Sequence, residues 1–422
     1  MQISLSIEPP LYRGPTVRNL RSTPVIAFAT SYGPVLSAGL EGTGSYGAEL
    51  ARVMARAGFQ VIEVNRPNRQ ARRLHGKSDP LDAYQAAEAV LAKRGTSIPK
   101  TRDGYVEALR VIQAGRNSAL KARTALICQI KSILITATEG LRAKYRPLST
   151  TALIKALAAS RPVGLEADPV TATAATLKKL AQRHHHLTVE IIDSDARLKR
   201  IIAAHAPGLT AITGVGTIVA TQLLVTMGDN PDRCTSEAQF AALTGTAPIP
   251  ASSGKTIRHR LSRGGDRAAN AAIHHIALVR MSTDQRTRAY VIKRTAEGKS
   301  KREILRCLKR YIAREIYRTL RNPTPVPLTN DLRPRRLAQQ ITLTAAAQHF
   351  GLWASAISRI EQGKCRDHDL TKARHHGWAS FVMSHDHGGA TNTNPASQSR
   401  TSHPKTYSLC QAVLSIGIAV GS

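Results

Sequence analysis

Acidic and aromatic residues are scarce in this chain. Its 422 residues carry 28 Asp and Glu against 60 Lys and Arg, a formal net charge of +32, and aromatics make up 4%. An excess of cations this large repels itself in isolation, so a polyanionic partner is expected. A core poor in aromatics must be built from Ala, Leu, Ile and Val. Only five cysteines occur, at 128, 234, 307, 365 and 410, and no pair has metal or redox spacing. That excludes zinc ribbons, fingers and a disulfide framework, and predicts a reducing, cytoplasmic setting. No apolar run reaches the roughly 18–20 residues of a membrane span, so no membrane association is expected. The first residues lack the basic-then-apolar order of a signal peptide.

What the chain does have is helical and α/β patterning. Residues 1–30, with Pro9, Pro10, Pro15 and Pro24, read as irregular. Val35 to Leu40 reads as a strand, Gly42 to Gly47 as a turn, Ala48 to Ala57 as a helix and Phe59 to Val64 as a second strand. This is a β-α-β unit. The spacing predicts a helix from Asp79 to Leu91, one or two long helices over 105–145, and another over 168–205. A helical region follows over 207–321, then a Pro-rich linker at 322–330 and a small helical module at 331–378. The tail over 379–422, rich in Ser, Thr, Asn and His, reads as disordered apart from a short apolar end.

Five patterns carry possible chemistry. Gly42-Thr43-Gly44-Ser45-Tyr46-Gly47 matches G-x-G-x-x-G, with Glu63 at the end of the next strand, as in a dinucleotide site. A tight turn needing glycine is the favoured reading, because the repeated strand–helix units of a full doubly wound sheet are missing. Glu41, Asp79 and Asp82 form a carboxylate set; the two Asp, three apart on a helix, share a face. Carboxylate oxygens suit hard divalent cations, although Asp79 and Asp82 would serve equally as helix cap and first-turn charge. Arg66, Arg69, Arg72, Arg73 and Lys77 lie just before them and favour a site on a phosphate backbone.

The third pattern, Leu209 to Ala220 with Gly214 and Gly216, reads as a helix-hairpin-helix able to hold a phosphate on backbone N–H groups, or as an ordinary helical turn. The fourth is Ser252-Ser253-Gly254-Lys255-Thr256. It fails as a phosphate loop because Ile249 stands where glycine is needed. It leaves a serine beside Lys255, Arg258, Arg260, Arg263 and Arg267, where a serine can attack a phosphodiester; a polar loop on a basic surface is the plainer alternative. The fifth, Leu343 to Gln362, reads as a helix-turn-helix in which Ala347 permits close helix approach and Gly351 makes the turn. Phe350, Leu352, Ile357 and Ile360 are its expected core, and Ser355, Ser358, Arg359 and Gln362 face outward.

Three strings together, Leu40 to Gly47, Val64-Asn65-Arg66-Pro67 and Gly76 to Ala83, resemble the first domain of insertion-sequence-110 family transposases. Pro248 to Arg267 and Gly298 to Glu303 resemble the family's second domain. The resemblance covers about 33–321. It implies an α/β RNase H-like (RuvC-like) domain over 31–110, a helical or coiled-coil spacer over 111–206, and an all-α transposase domain over 207–321. The 331–378 module resembles a repressor-type helix-turn-helix. By resemblance, Glu41, Asp79 and Asp82 are metal carboxylates for Mg²⁺ or Mn²⁺, and Ser253, with Ser252 second, is the nucleophile. DNA is the implied partner. Bridge-RNA guidance is known in the family, and a dimer or tetramer suits two-site recombination.

One departure stands out. The family's metal site is Asp-Glu-Asp-Asp, and its first Asp lies on an opening strand. Residues 1–40 contain no Asp. The first strand of the α/β domain is therefore expected to be missing or replaced, with an altered reading-frame start as the suggested cause; Glu8 sits in a strand-like stretch, but its spacing to Glu41 is short for the usual hairpins, so it is not the expected substitute. Two further expectations follow: an inactive transposase remnant that still binds DNA or RNA, or a regulator acting through its helix-turn-helix.

The charge has locations: 66–77, 255–267, 293–321 and 333–336.

Overall fold

The computed structural model describes residues 22–31, 33–64, 86–93, 97–252, 259–323, 332–349 and 354–361. Asp79, Asp82, the basic run 66–77, Ser253 to Arg258, and the tail lie outside them.

The first element differs from expectation. Ser22–Ser31 is a helix, α1, where the prolines predicted irregular chain. Pro24 falls in its first turn, where its missing N–H would have had no helical partner in any case. Strand β1 (Ser37–Leu40), helix α2 (Ala48–Arg56) and strand β2 (Gln60–Glu63) then form the expected β-α-β unit. The strands are parallel, with Leu40 opposite Glu63. Ala38, Ala51, Met54 and Val61 are its core. Helix α3, 86–91 among the described residues, lies on β1 so closely that a Cβ on Gly39 would be 3.0 Å from the Ala86 carbonyl oxygen.

Two long helices dominate the middle. Helix α4 (Tyr105–Thr136) and helix α7 (Pro169–His205) are joined by α5 (Glu139–Tyr145) and α6 (Thr150–Ala159). Ile130 of α4 packs with Leu177 and Ala181 of α7, while Val106 and Leu109 pack with Leu198 and Ile202. The pair is therefore antiparallel. Buried positions Ile191, Ser194, Leu198 and Ile202 fall three to four apart, the spacing of a helix–helix seam. Helix α4 crosses residue 110, so the α/β region and the spacer share one continuous helix.

The rest of 207–321 is helical: α8 (Pro207–Ala211), α9 (Thr217–Met227), α10 (Glu237–Leu243), α11 (Arg267–Thr283), α12 (Gln285–Ala296) and α13 (Lys301–Arg321). Helix α13 starts with a capping box between Ser300 and Glu303. It buries Ile304, Leu308, Ile312 and Ile316 against Leu223, Phe240 and Ile273. The root of the α4–α7 pair joins this same core. Between α10 and α11, β3 (Ile249–Pro250) pairs antiparallel with β4 (His259–Arg260), Pro250 opposite His259.

The module beyond has helices α14 (Leu332–Ala338), α15 (Leu343–His349) and α16 (Ala354–Glu361). Its core is Leu332, Ile341, Ala346, Ala347 and Ile357. The sequence reading had named Ala347 and Ile357; α14 and the segment after it supply Leu332 and Ile341. Phe350, Gly351 and Leu352 lie outside the described residues. Arg336, in the basic stretch 333–336, is buried and paired with Glu361 at 2.6 and 3.2 Å.

Candidate nucleic-acid interface and catalytic site

Glu41 directly follows β1, at the carboxyl end of the parallel pair, where open α/β sheets place their ligands. It is half-buried, and its Oε1 is shielded from solvent. The following turn closes through Ser45 N–H and Gly47 N–H, both donating to the Gly42 carbonyl. Asp79 and Asp82 lie outside the described residues. Three carboxylates are a hard-oxygen donor set that fits Mg²⁺ or Mn²⁺ by its chemistry; Glu41 is the one of the three in the described part. Among the described residues no three His, Cys, Asp or Glu side chains cluster as a metal site.

Glu63, the acid that a dinucleotide site would turn to a ribose, is 3.9 Å from Arg233 of the helical region. It belongs to a junction that sequence reasoning did not find. Arg233 also donates to the Ile98 carbonyl at 3.0 Å, and Lys100 Nζ donates to the Val225 carbonyl at 2.5 Å. Asn230 bonds the Pro99 carbonyl and the Thr101 amide. Asp229 accepts from the amides of Val106 and Glu107, capping α4 at 2.8 and 3.2 Å. Burial, then repulsion from Arg233, pushes the Lys100 ammonium down to about 8. Burial also lowers Arg233, despite the attraction of Glu63. The segment 97–107 is thus fixed along the helical region by side chains about 120 to 135 residues away.

The helix-hairpin-helix pattern falls between α8 and α9. Gly214 has φ +86, a conformation that favours glycine, and its Cβ would sit 3.1 Å from Ile276. Gly216 is the N-cap of α9, with open space where a Cβ would stand. Arg280 donates to the Thr213 carbonyl at 2.9 Å and pairs with Glu315 at 2.7 and 3.1 Å, tying the hairpin to α13. The N-terminus of α9 opens on a cavity of about 500 Å³ lined by Lys199, Thr217 and His275. Backbone N–H groups and a lysine around such an opening can receive a phosphate.

The serine loop leaves from a two-rung hairpin. Ser252 is exposed, two residues after Pro250; Ser253, Lys255 and Arg258 lie outside the described residues. Arg260, Arg263 and Arg267 are exposed. Arg267 begins α11, whose N-cap Asp266 accepts from the Ala268 and Ala269 amides. Next to the stem is a cavity of about 480 Å³ whose far wall is α13, with Arg306, Arg310 and Arg314 one turn apart on one face. That four-residue recurrence was readable within the basic stretch 293–321; its convergence with the hairpin was not. Ser355 and Arg359 belong to α16, the second helix of the predicted helix-turn-helix; only their backbone is described. Among the described residues no helix is long and apolar enough to cross a membrane.

Two family models match this chain. One, a transposase model of the Asp-Glu-Asp-Asp type named for insertion sequence 110, matches residues 23–138. It begins earlier than the resemblance read from motifs and takes in most of α1. The other, the transposase IS116/IS110/IS902 family, matches 206–291. An insertion element IS110 uncharacterized 43.6 kDa protein of Streptomyces coelicolor is 34% identical over 133 residues, 31% of this chain and 33% of that protein. An insertion element IS900 uncharacterized 42 kDa protein of Mycobacterium paratuberculosis is 28% identical over 152 residues, 35% of this chain and 38% of that protein. The chain thus spans about a third of the length of the curated relatives it matches. Both matched regions lie on one polypeptide, joined through the Asp229, Arg233 and Lys100 contacts, and both resemble transposases of the IS110 family.

Proposed function

We propose that the chain is a DNA transposase that cuts and rejoins strands to move an insertion sequence. The observation that carries this reading is the fixed junction between the Glu41-bearing α/β unit and the region bearing the serine hairpin. It supports one machine rather than two independent modules.

In this reading Ser253 Oγ attacks a DNA phosphorus. An Oγ–P bond forms as the hydroxyl gives up its proton to water, the P–O bond to the departing strand breaks, and the departing oxygen takes up a proton from water. Joining reverses these events: a hydroxyl at another strand end attacks the phosphoserine phosphorus, and the electron pair returns to Oγ. Ser252 is the second candidate. Glu41, Asp79 and Asp82 would hold the divalent cation, which when bound supplies stabilisation of charge developing on phosphate oxygens. Lys255, Arg258, Arg260, Arg263 and Arg267 neutralise the phosphates flanking the break, and Arg66, Arg69, Arg72, Arg73 and Lys77 do so beside the carboxylates. Gly214 and Gly216 present amide N–H groups to a phosphate without reading sequence. Ser355 and Arg359 of the helix-turn-helix reach base edges. The same basic surfaces can hold a bridge RNA, and exchange between two sites calls for a dimer or tetramer.

Full-length protein incubated with Mg²⁺ and labelled element-end DNA is expected to give a denaturant-stable protein–DNA adduct that Ser253→Ala abolishes. An adduct that persists in both Ser253→Ala and Ser252→Ala would overturn the nucleophile. A second reading, a catalytically silent chain that keeps nucleic-acid binding, draws on the absence of Asp from residues 1–40. Strand exchange in cells would dispose of it.

A further inference from the structure

The cavity of about 480 Å³ between the hairpin stem and α13 has a composition that backbone phosphate contacts do not explain. Its charged wall is almost entirely cationic. The acid on it, Glu303, is occupied by the α13 capping box, accepting from the Ser300 amide at 3.0 Å and the Ser300 hydroxyl at 2.7 Å. Arg314 is paired with Glu237 at 2.7 Å. Among the described residues, Arg260, Lys299 and Arg306 make no direct ion pair, and Glu303 is the carboxylate whose charge Arg306 and Lys299 feel. Lys309 is buried at the floor and held by Asn270 Oδ1, while Asn270 Nδ2 donates to the Thr244 and Gly245 carbonyls at 2.8 and 2.9 Å. The floor is therefore rigid and carries a cation of its own.

One wall residue is aromatic. Tyr311 is 54% exposed in a chain with few aromatic residues; among the described residues only Tyr46 is a more exposed aromatic. Its ring stands at 85° to Tyr290, with centroids 5.9 Å apart, so its orientation is set from behind. Arg294 in turn lies 5.8 Å from the Tyr290 ring centre. A surplus of cations around a pre-oriented, solvent-facing ring matches the chemistry of an unstacked base with its phosphate. The volume suits a small-molecule-sized ligand and is far too small for a duplex.

We infer that this cavity binds an unpaired nucleotide of a single DNA strand, with the base stacked on Tyr311 and the phosphate held by Arg260, Lys299 and Arg306. The inference rests on the transposase reading and deepens it: the strand that reaches the serine hairpin is taken locally out of its duplex.

Fluorescence anisotropy with full-length protein tests this, using a dT12 strand, a 12-base-pair duplex and an rU12 strand. Tyr311→Ala is expected to weaken dT12 binding on the order of tenfold and leave duplex binding within about twofold, and Tyr311→Phe should restore it. Arg306→Ala should lower the salt slope for dT12 by about 0.7. Equal effects of Tyr311→Ala on strand and duplex, or none on the strand, would overturn the pocket while leaving the transposase reading intact. Tyr311-dependent binding of rU12 without dT12 would overturn the assignment to DNA. Binding of none of the three probes by the parent protein would defeat both readings.

Discussion

Gly104 leaves open the space that the Asp229 carboxylate fills. A methyl group at residue 104 would overlap that carboxylate, which caps α4 through the amides of Val106 and Glu107. The backbone of Gly104 is extended, so packing and not conformation demands glycine there. Removing the cap with Asp229→Ala should cost about 1–2 kcal/mol, and Gly104→Ala should cost a similar amount by displacing it. Together the two changes should cost less than their sum, because both remove one interaction. Urea denaturation of the four proteins checks this; strict additivity would count against a shared cap.

Lys100 makes that junction pH-sensitive. Its ammonium is held down to about 8 in the folded protein, against 10.5 when free. Between those values the unfolded chain binds more protons, so stability contributed by this group rises as pH climbs from about 8 to 10.5. Below 8 the full cost of a buried cation applies. The expected rise is on the order of 2 kcal/mol, and Lys100→Met should flatten it. Denaturation midpoints of both proteins across that range, compared as a difference, cancel other titrating groups.

Arg336 and Glu361 are almost fully buried beside the five buried apolar residues that form the core among the described residues of this module. Arg336 also donates to the Ile341 carbonyl at 2.7 Å. Arg336→Ala would strand the carboxylate at a cost of about 3–5 kcal/mol, a large share of the stability of a small module. Proteolysis should then remove 332–361 while the main unfolding transition stays in place. Arg336→Met with Glu361→Leu should restore protection.

The two hairpin glycines should respond differently. Gly214→Ala places a Cβ in a left-handed conformation and against Ile276, and should lower stability by about 1–3 kcal/mol. Gly216→Ala meets no atom and should be close to neutral. If the cavity at α9 takes a phosphate, Lys199→Ala should reduce the salt slope of duplex binding by about 1 without shifting the melting temperature.

The β-α-β unit was legible because strands declare themselves by alternation and helices by period. The long helices and the Gly214–Gly216 hairpin were legible for the same reason. Pro24 misled, since a proline in a first turn looks like one in a loop. The Asp229 cap, the Glu63–Arg233 contact and the meeting of Tyr311 with Arg260 were not readable, because each joins residues 50 or more positions apart with no local pattern to mark them. Of the site itself, residue types and order were visible in the chain; the half-burial of Glu41 and the enclosure beside the hairpin come from packing.

Only one end of the α4–α7 pair is rooted in the main core. The other end, closed by α5 and α6, has a separate small core of Ile130, Tyr145, Leu157 and Leu177. At 1.5 Å per residue α4 is about 48 Å long. A lever of that length multiplies motion: a tilt of about ten degrees at Leu109 and Leu198 carries the far end through roughly 8 Å. A small change of angle at the base, where Asp229 caps α4, is thus a large displacement at the tip.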